Sequence, residues 1–351
     1  MITNNKETIL LDNYWDNFKE RVNESIDCIE ANRLPSLQRL TIHVTDSCNL
    51  SCEYCNMRFC SKIMKKETVI KIIDEYTEMG GDTIHFTGGE PSIVPYINEI
   101  FKYSKDKGLT VSSNTNGYKR MDTKNIDKLK TSFDCCSREE FNRTMGKDCF
   151  DEVVENMKYY SETMKGKMLS ITAVLNRKTY KHMLELVKFV EDNYHVYNLY
   201  FSNYKGSNLD YAFTNEEITD MFENYIPKVL DYLKETGSEY SYKQLALYKP
   251  HDFINEQDRF AENKVIPCYI QLSEMTIDSD GVCHNCSHLY RDGVKPNKVF
   301  NVTDTHLNDC FKGLKKELKG NYTYLDCHCE TGCNTNLIGF NKAVMAKRRI
   351  L

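Results

Sequence analysis

No apolar run in this sequence approaches the ~20 residues that a membrane-crossing helix needs, so no span is expected. The first residues, Met-Ile-Thr-Asn-Asn-Lys-Glu, lack the charged-then-apolar order of a secretory signal, and a cytoplasmic location is the expectation. An excess of positive charge is missing as well. The formal net charge is −5, which gives no sign of a broad basic surface, so no nucleic-acid partner is expected. Internal repeats and low-complexity tracts are also absent. What remains is an ordinary globular composition, 40% hydrophobic and 28% charged, in a chain of 351 residues that is long enough for a sizeable core and for one or two domains.

Cysteine is the exception, with 15 residues. A reducing cytosol disfavours structural disulfides, so clustered cysteines there more often bind metal or do chemistry. Four lie from Cys48 to Cys60 and seven from Cys268 to Cys333. Cys28, Cys135, Cys136 and Cys149 are scattered and read as small buried hydrophobes.

Along the chain, Tyr14, Phe18, Val22, Ile26 and Ile29 recur at helical spacing, so residues 1–38 read as a helical extension. Strands are expected at 39–45, 83–92, 109–117, 131–136, 169–176 and 196–204. Helices are expected at 67–79, near 95–107, near 123–130, at about 150–164 and near 180–193. A long helix follows at 215–236. This alternation predicts a parallel sheet with crossover helices over 39–236, either an open sheet or a partial barrel. Both arrangements place ligands at the C-terminal ends of the strands. A polar connector at 237–265 and a cysteine-rich part at 266–351, ending in a basic helical tail, complete the chain.

Cys48, Cys52 and Cys55 lie in the loop after the first strand, in "TDSCNLSCEYCN". Zinc structural sites close with four ligands, and no usual zinc pattern is complete here. Three thiolates on a cubane iron–sulfur cluster leave one iron open. The Cys-x3-Cys-x2-Cys spacing, with Tyr54 before the last cysteine, resembles the signature of the radical S-adenosylmethionine (SAM) superfamily. "FTGGEP" (86–91), "NTNG" (114–117), "TSFD" (131–134) and "RTMGKDCFDEVVENM" (143–157) resemble that superfamily's segments, in its order. The resemblance covers roughly residues 39–204 and implies a partial (β/α)6 TIM-like barrel. It also implies a 4Fe–4S cluster on Cys48, Cys52 and Cys55 whose open iron is chelated by SAM. One electron then cleaves SAM to a 5′-deoxyadenosyl radical, which abstracts a substrate hydrogen. A flavodoxin, ferredoxin or reductase would donate the electron.

The resemblance gives further residues roles. Gly88 and Gly89 let backbone approach SAM closely, and Glu90 accepts from its ammonium. Arg143 meets the SAM carboxylate or forms a surface ion pair. Tyr54 lies beside the adenine. Ser113, Asn114 and Asn116 are ribose candidates, or simply turn residues. Asp134, at the end of a strand, touches substrate or caps a turn.

In the C-terminal part, Cys268 and Cys286 frame a β-hairpin expected to turn near Asp280-Gly281. Cys327, Cys329 and Cys333 follow in "DCHCETGC". This part resembles the twitch and SPASM auxiliary-cluster modules of radical SAM enzymes, although its spacing departs from the full SPASM pattern. The resemblance implies one auxiliary 4Fe–4S cluster, or two, on Cys268, Cys286, Cys333 and one of Cys327 or Cys329. A peptide-modifying enzyme is the expected function, forming a crosslink, an epimer or an oxidised residue. The alternative is a dehydrogenase acting on a small molecule such as a sugar or cyclitol alcohol.

Overall fold

The computed structural model describes residues 20–55, 61–204, 208–246, 248–253, 269–287, 290, 298–316 and 344. Six strands follow in chain order: β1 (Arg39–Thr45), β2 (Thr83–Gly88), β3 (Thr110–Thr115), β4 (Lys128–Ser132), β5 (Met168–Leu175) and β6 (Asn198–Asn203). Each pairs in parallel with the next. On the other edge of β1 lies β7 (Glu274–Ile277), also parallel, and β8 (Cys283–His284) pairs antiparallel with β7. The sheet order is therefore β6-β5-β4-β3-β2-β1-β7-β8, a mainly parallel eight-stranded sheet of the partial TIM-like kind. No helix among the described residues is long and apolar enough to cross a membrane.

Helices α1 (residues 20–30), α2 (Lys66–Glu78), α3 (Ile97–Asp106), α4 (Arg138–Met145), α5 (Phe150–Thr163) and α6 (Met183–Asn193) accompany these strands. In α2 the apolar residues Val69, Ile72, Ile73 and Tyr76 recur at one-face spacing and are fully buried. They join Leu40, Ile42, Ile84 and Phe86 in one cluster. Burying each such side chain stabilises the fold by roughly 1.5–3 kcal/mol.

Strand alternation divides the sheet into two unlike faces. In β5, Leu169, Ile171, Ala173 and Leu175 are buried, and Met168, Ser170, Thr172 and Val174 between them are half-buried. The buried set packs on the helices. The residues of the other face are half-buried.

Three stretches differ from the sequence expectation. Residues 123–130 form no helix. The Asp122 carboxylate accepts from the Lys124 N–H (2.9 Å), a local turn that competes with helix, and β4 begins at Lys128. A short helix, α4, follows instead. Ser137 caps its start and Gly146, at φ 67°, ends it. The polar stretch 237–265 also holds regular structure, α9 (Glu239–Ala246), preceded by α7 (Asn215–Asp220) and α8 (Ile226–Glu235). A π-helical turn, Met221–Tyr225, joins α7 and α8 just before Pro227, which has no N–H to give.

The expected C-terminal hairpin is present, turning through Gly281 at φ 83°. It extends the barrel sheet through β1, and α10 (Leu307–Lys316) packs on α2. Met275, Ile277, Val302, Leu307 and Leu314 share the apolar cluster of β1 and α2.

Candidate functional site

The cysteine loop leaves β1 at Thr45, whose hydroxyl donates to the Lys62 carbonyl (2.7 Å) and accepts from the Ser47 N–H (3.0 Å). The loop then leans on the end of α4. Ser51 N–H donates to the Met145 carbonyl (3.2 Å) and Glu53 N–H to that of Thr144 (3.0 Å). Gly146 is required there, because a Cβ would lie 2.3 Å from the Ser51 hydroxyl. A bond from Cys55 N–H to the Cys52 carbonyl (3.0 Å) makes the turn between those two cysteines. All three thiols are half-buried at the C-terminal end of the sheet.

The Gly88-Gly89-Glu90 turn is stitched to this loop. Gly89 N–H donates to the Thr45 carbonyl (2.7 Å), and Glu90 N–H to that of Ser47 (2.9 Å). A Cβ on Gly88 would lie 2.1 Å from the Thr45 carbonyl oxygen, and one on Gly89 the same distance from that of Ser47. The close approach these glycines permit is thus to the chain's own cysteine loop. Glu90 is buried, and its carboxylate accepts from the Ser92 N–H (2.9 Å), the Thr115 hydroxyl (2.8 Å) and the Asn116 N–H (2.7 Å). Burial raises its pKa above the ordinary carboxylate value, against these bonds, which favour the charged form. Glu90 therefore ties β2 to the end of β3.

Asn116 carries that tie on to the cysteines. Its side-chain amide donates to Asn49 Oδ1 (2.8 Å) and lies 3.6 Å from Cys48 Sγ. Asn114 lies on the half-buried face of β3 and donates to the Thr87 hydroxyl (3.3 Å), and its Oδ1 is buried without a partner. Ser113 belongs to the other face: fully buried, it donates to the Phe86 carbonyl (3.2 Å). The structure does not bring it to the mouth with Asn114 and Asn116.

Asp134 is buried at the top of β4, accepting from the Val174 N–H (2.9 Å) and from the Tyr54 hydroxyl. Burial pushes its pKa up to about 6. The Tyr54 ring meets Tyr211 edge-on at 6.0 Å. Arg143 pairs with Glu140 and Glu53 at the rim, and Tyr211 also donates to Glu53. Glu53 and Tyr211 were not singled out in the sequence, because their pairing spans 158 positions.

Burial raises the Cys48 and Cys52 thiols above their ordinary pKa, and the charges acting with it, those of Glu90, Asp134 and the other cysteines, are negative. Thiolates there need a cation to neutralise them. Among the described residues, no three Cys, His, Asp or Glu side chains converge closely enough to hold a single metal ion. Sulfurs bound to different irons of one cluster stand farther apart than ligands on one ion. Three thiols from one short loop, which leave one iron open, match the donor set of an iron–sulfur cluster that also binds SAM.

Of the C-terminal cysteines, Cys268, Cys327, Cys329 and Cys333 lie outside the described residues. Cys286 is buried just after β8, and its carbonyl accepts from the Tyr290 N–H (3.3 Å). Tyr290 reaches across to the buried Asp46 (2.8 Å), as does Ser279 (2.6 Å), so the hairpin braces the base of the cysteine loop. Cys283 and Cys310 are fully buried within the apolar cluster and hydrogen-bond each other. That bond, with burial, pushes the Cys283 thiol up.

Residues 42–190 match the Radical SAM superfamily. This segment is a radical SAM domain. Domains of this family use a 4Fe–4S cluster and SAM. Among curated relatives, the GTP 3′,8-cyclase of Aliarcobacter butzleri is 25% identical over 268 residues, 68% of this chain and 82% of the relative. A probable GTP 3′,8-cyclase of Saccharolobus islandicus is 30% identical over 44% of this chain, which spans about half (52%) of that relative's length. Among solved structures, Streptococcus suis SuiB bound to precursor peptide SuiA superposes with TM-score 0.63 at 18% identity, over 90% of this chain and 76% of SuiB. The enzyme anSMEcpe, with bound AdoMet and a Kp18Cys peptide, gives 0.60 at 17% identity, over 89% of this chain and 97% of that one. At these identities the likeness is one of fold, and it extends beyond the radical SAM domain in both cases.

Proposed function

We propose that the chain is a radical SAM enzyme, an oxidoreductase or maturase, whose loop cysteines Cys48, Cys52 and Cys55 hold the 4Fe–4S cluster. The observation that carries this reading is the stitching of three separate strand ends into one mouth, with Gly89 and Glu90 bonded to the cysteine loop and Asn116 placed beside Cys48. When bound, the cluster and SAM supply one-electron cleavage to a 5′-deoxyadenosyl radical that abstracts a substrate hydrogen. The chain's own residues do the rest. The Gly88-Gly89 backbone presents the edge of β2 to the methionine end of SAM, and Glu90 fixes that edge against β3. The half-buried Tyr54 and the buried Asp134 close the side of the mouth nearest β4 and β5 and exclude water. A ferredoxin, flavodoxin or reductase donates the electron.

The substrate in this reading is a peptide, which the peptide-bound SuiB and anSMEcpe structures of like fold support. A small molecule is the second reading. The name of the curated relatives, GTP 3′,8-cyclase, and the half-buried polar residues of β4, Lys128, Lys130 and Ser132, favour it.

Replacing Cys48, Cys52 and Cys55 together by Ala tests the radical site. Anaerobically reconstituted protein is expected to lose one cluster's worth of iron and to stop producing 5′-deoxyadenosine from SAM under reduction. Undiminished 5′-deoxyadenosine would overturn the assignment.

A further inference from the structure

We propose that Tyr211, in the loop after β6, is a positioning residue for the radical site: it braces the turn between Cys52 and Cys55, and so sets the place of the Tyr54 ring beside bound SAM. This rests on the reading of the three loop cysteines as the cluster site. It adds a residue that lies beyond the matched segment, residues 42–190.

Both residues between Cys52 and Cys55 meet Tyr211. Its hydroxyl donates to Glu53 Oε2, and its ring meets that of Tyr54 edge-on at 6.0 Å. The same Glu53 oxygen accepts from Arg143 Nη1 (3.2 Å). The cysteine loop, α4 and the loop after β6 thus converge on one atom. Tyr54 is tethered at its far end as well, where its hydroxyl donates to Asp134, and Asp134 is fixed by the Val174 N–H (2.9 Å). A ring tethered only at its hydroxyl can still swing about that bond. The edge-on contact with Tyr211 takes that freedom away.

The brace is itself held on several sides. Tyr211 is buried, its N–H donates to the Asn208 carbonyl (3.1 Å), and its carbonyl accepts from the Arg177 N–H (3.2 Å). Arg177 is anchored in turn to Glu217 on α7 (3.0 Å). The Tyr204 ring lies 5.8 Å from that of Tyr211, and the Lys178 ammonium stands 4.0 Å from the centre of the Tyr211 ring. Tyr204, Tyr211 and Ala212 form an apolar cluster of their own, against which Tyr54 and Val174 pack.

A tyrosine that only fills the core gives its hydroxyl to nearby backbone, as Tyr76 does to the Thr83 carbonyl (3.0 Å). Tyr211 gives its hydroxyl to a rim carboxylate whose side chain is 42% exposed. Water competes for such a carboxylate, so the bond contributes little to stability and its main consequence is geometric. Thiolate–iron bonds hold the cysteines to a cluster whatever the turn between them does. Loss of the brace therefore leaves the cluster in place and loosens the SAM side.

The test follows 5′-deoxyadenosine production from SAM on the anaerobically reconstituted full chain, with dithionite as reductant. Tyr211→Phe keeps the ring and removes the hydroxyl. It should keep the parent's iron content, raise KM for SAM about fivefold and change kcat less than KM. Glu53→Ala breaks the same bond from the other side and should also raise KM. The double variant should add little to the larger single effect, because both changes remove one bond. Tyr180→Phe is the matched control: it removes a hydroxyl that donates to Asp220 on α7 (2.9 Å), and should lower urea resistance without moving KM. A parent-like KM in Tyr211→Phe, loss of iron from it, additive effects in the double variant, or an equal rise in Tyr180→Phe would overturn the proposal. If Tyr211→Phe does not fold, Glu53→Ala decides: a raised KM supports the brace and a parent-like KM overturns it. A parent that binds SAM but makes no 5′-deoxyadenosine overturns the radical reading instead. Calorimetric titration with SAM then judges the brace separately, and equal affinity in parent and Tyr211→Phe overturns it.

Discussion

Gly89 shows how little room surrounds the cysteine loop. A single methyl there would stand 2.1 Å from the Ser47 carbonyl oxygen, so Gly89→Ala must push the loop off β2. With all three cysteines intact, that variant is expected to incorporate less iron into the loop's cluster than the parent, read as iron per chain after anaerobic reconstitution. Iron content equal to the parent's would show that the loop adapts. Glu90→Gln probes the neighbouring tie. An amide cannot accept at both ends, so one of Ser92, Thr115 or Asn116 loses its acceptor, at a cost of about 1–3 kcal/mol. SAM affinity and resistance to urea should fall together; a loss of affinity with unchanged stability would place Glu90 directly on SAM instead. The sequence marked these positions but not all their partners, because two of the donors to Glu90, Thr115 and Asn116, sit one strand away and 25 and 26 positions on. The place of Ser113 was legible by another route. In "TVSSNT" the buried Val111 sets the parity, and Ser113 and Thr115 share its face while Ser112 and Asn114 take the other.

At the scale of elements, most strand positions were legible because the strands couple alternation to a buried apolar face, as β5 does, although β4 (Lys128–Ser132) begins three residues before the expected 131–136. The link from β3 to β4 was not, since its order comes from distant side chains. Asn156 on α5 donates to the carbonyls of Gly117 (2.8 Å) and Tyr118 (3.1 Å), and Asp127 accepts from Val111 N–H (2.8 Å). Helix α4 did carry a local signal, Ser137 before the helix and Gly146 after it, which was absorbed into a longer motif-like segment. The polar face of β2 and β3 makes a pH prediction. His85 bonds Ser112 through Nδ1 (2.9 Å) and is held neutral by burial and by surrounding cations. The unfolded chain takes up a proton on this ring near its ordinary pKa of 6.5, and the folded chain does not. The unfolded state thus binds more protons below that pH, and stability falls as pH drops from about 6.5. His85→Gln removes this contribution, so its urea midpoint should decline less than the parent's between about pH 7.5 and pH 5. Parallel declines would show that the ring protonates in the folded protein.

Across the whole molecule, the hairpin's existence could be read from Gly281, but its attachment could not. Nothing local in "EMTI" says that it pairs with β1, and the pairing is fixed by Met275 and Ile277 sharing the cluster of Leu40 and Ile42. The buried Lys315 strengthens the join, donating to the Glu274 carbonyl (2.7 Å) and to Asn285 (2.8 Å). Deleting residues 266–351 would strip one edge of the barrel, so the auxiliary cluster is better tested by point substitution. Seven cysteines lie from Cys268 onward, and the structure commits two of them, Cys283 and Cys310, to each other inside an apolar cluster. A fully protein-ligated 4Fe–4S cluster takes four thiolates. The remaining Cys268, Cys286, Cys327, Cys329 and Cys333 suffice for one such cluster and fall short of two. Protein lacking Cys48, Cys52 and Cys55 is therefore expected to retain about four irons per chain. Adding Cys286→Ala should remove that iron, and adding Cys310→Ala should keep it while lowering stability. About eight irons would return Cys283 and Cys310 to the ligand pool and favour two clusters; zinc in place of iron would remove the auxiliary cluster altogether.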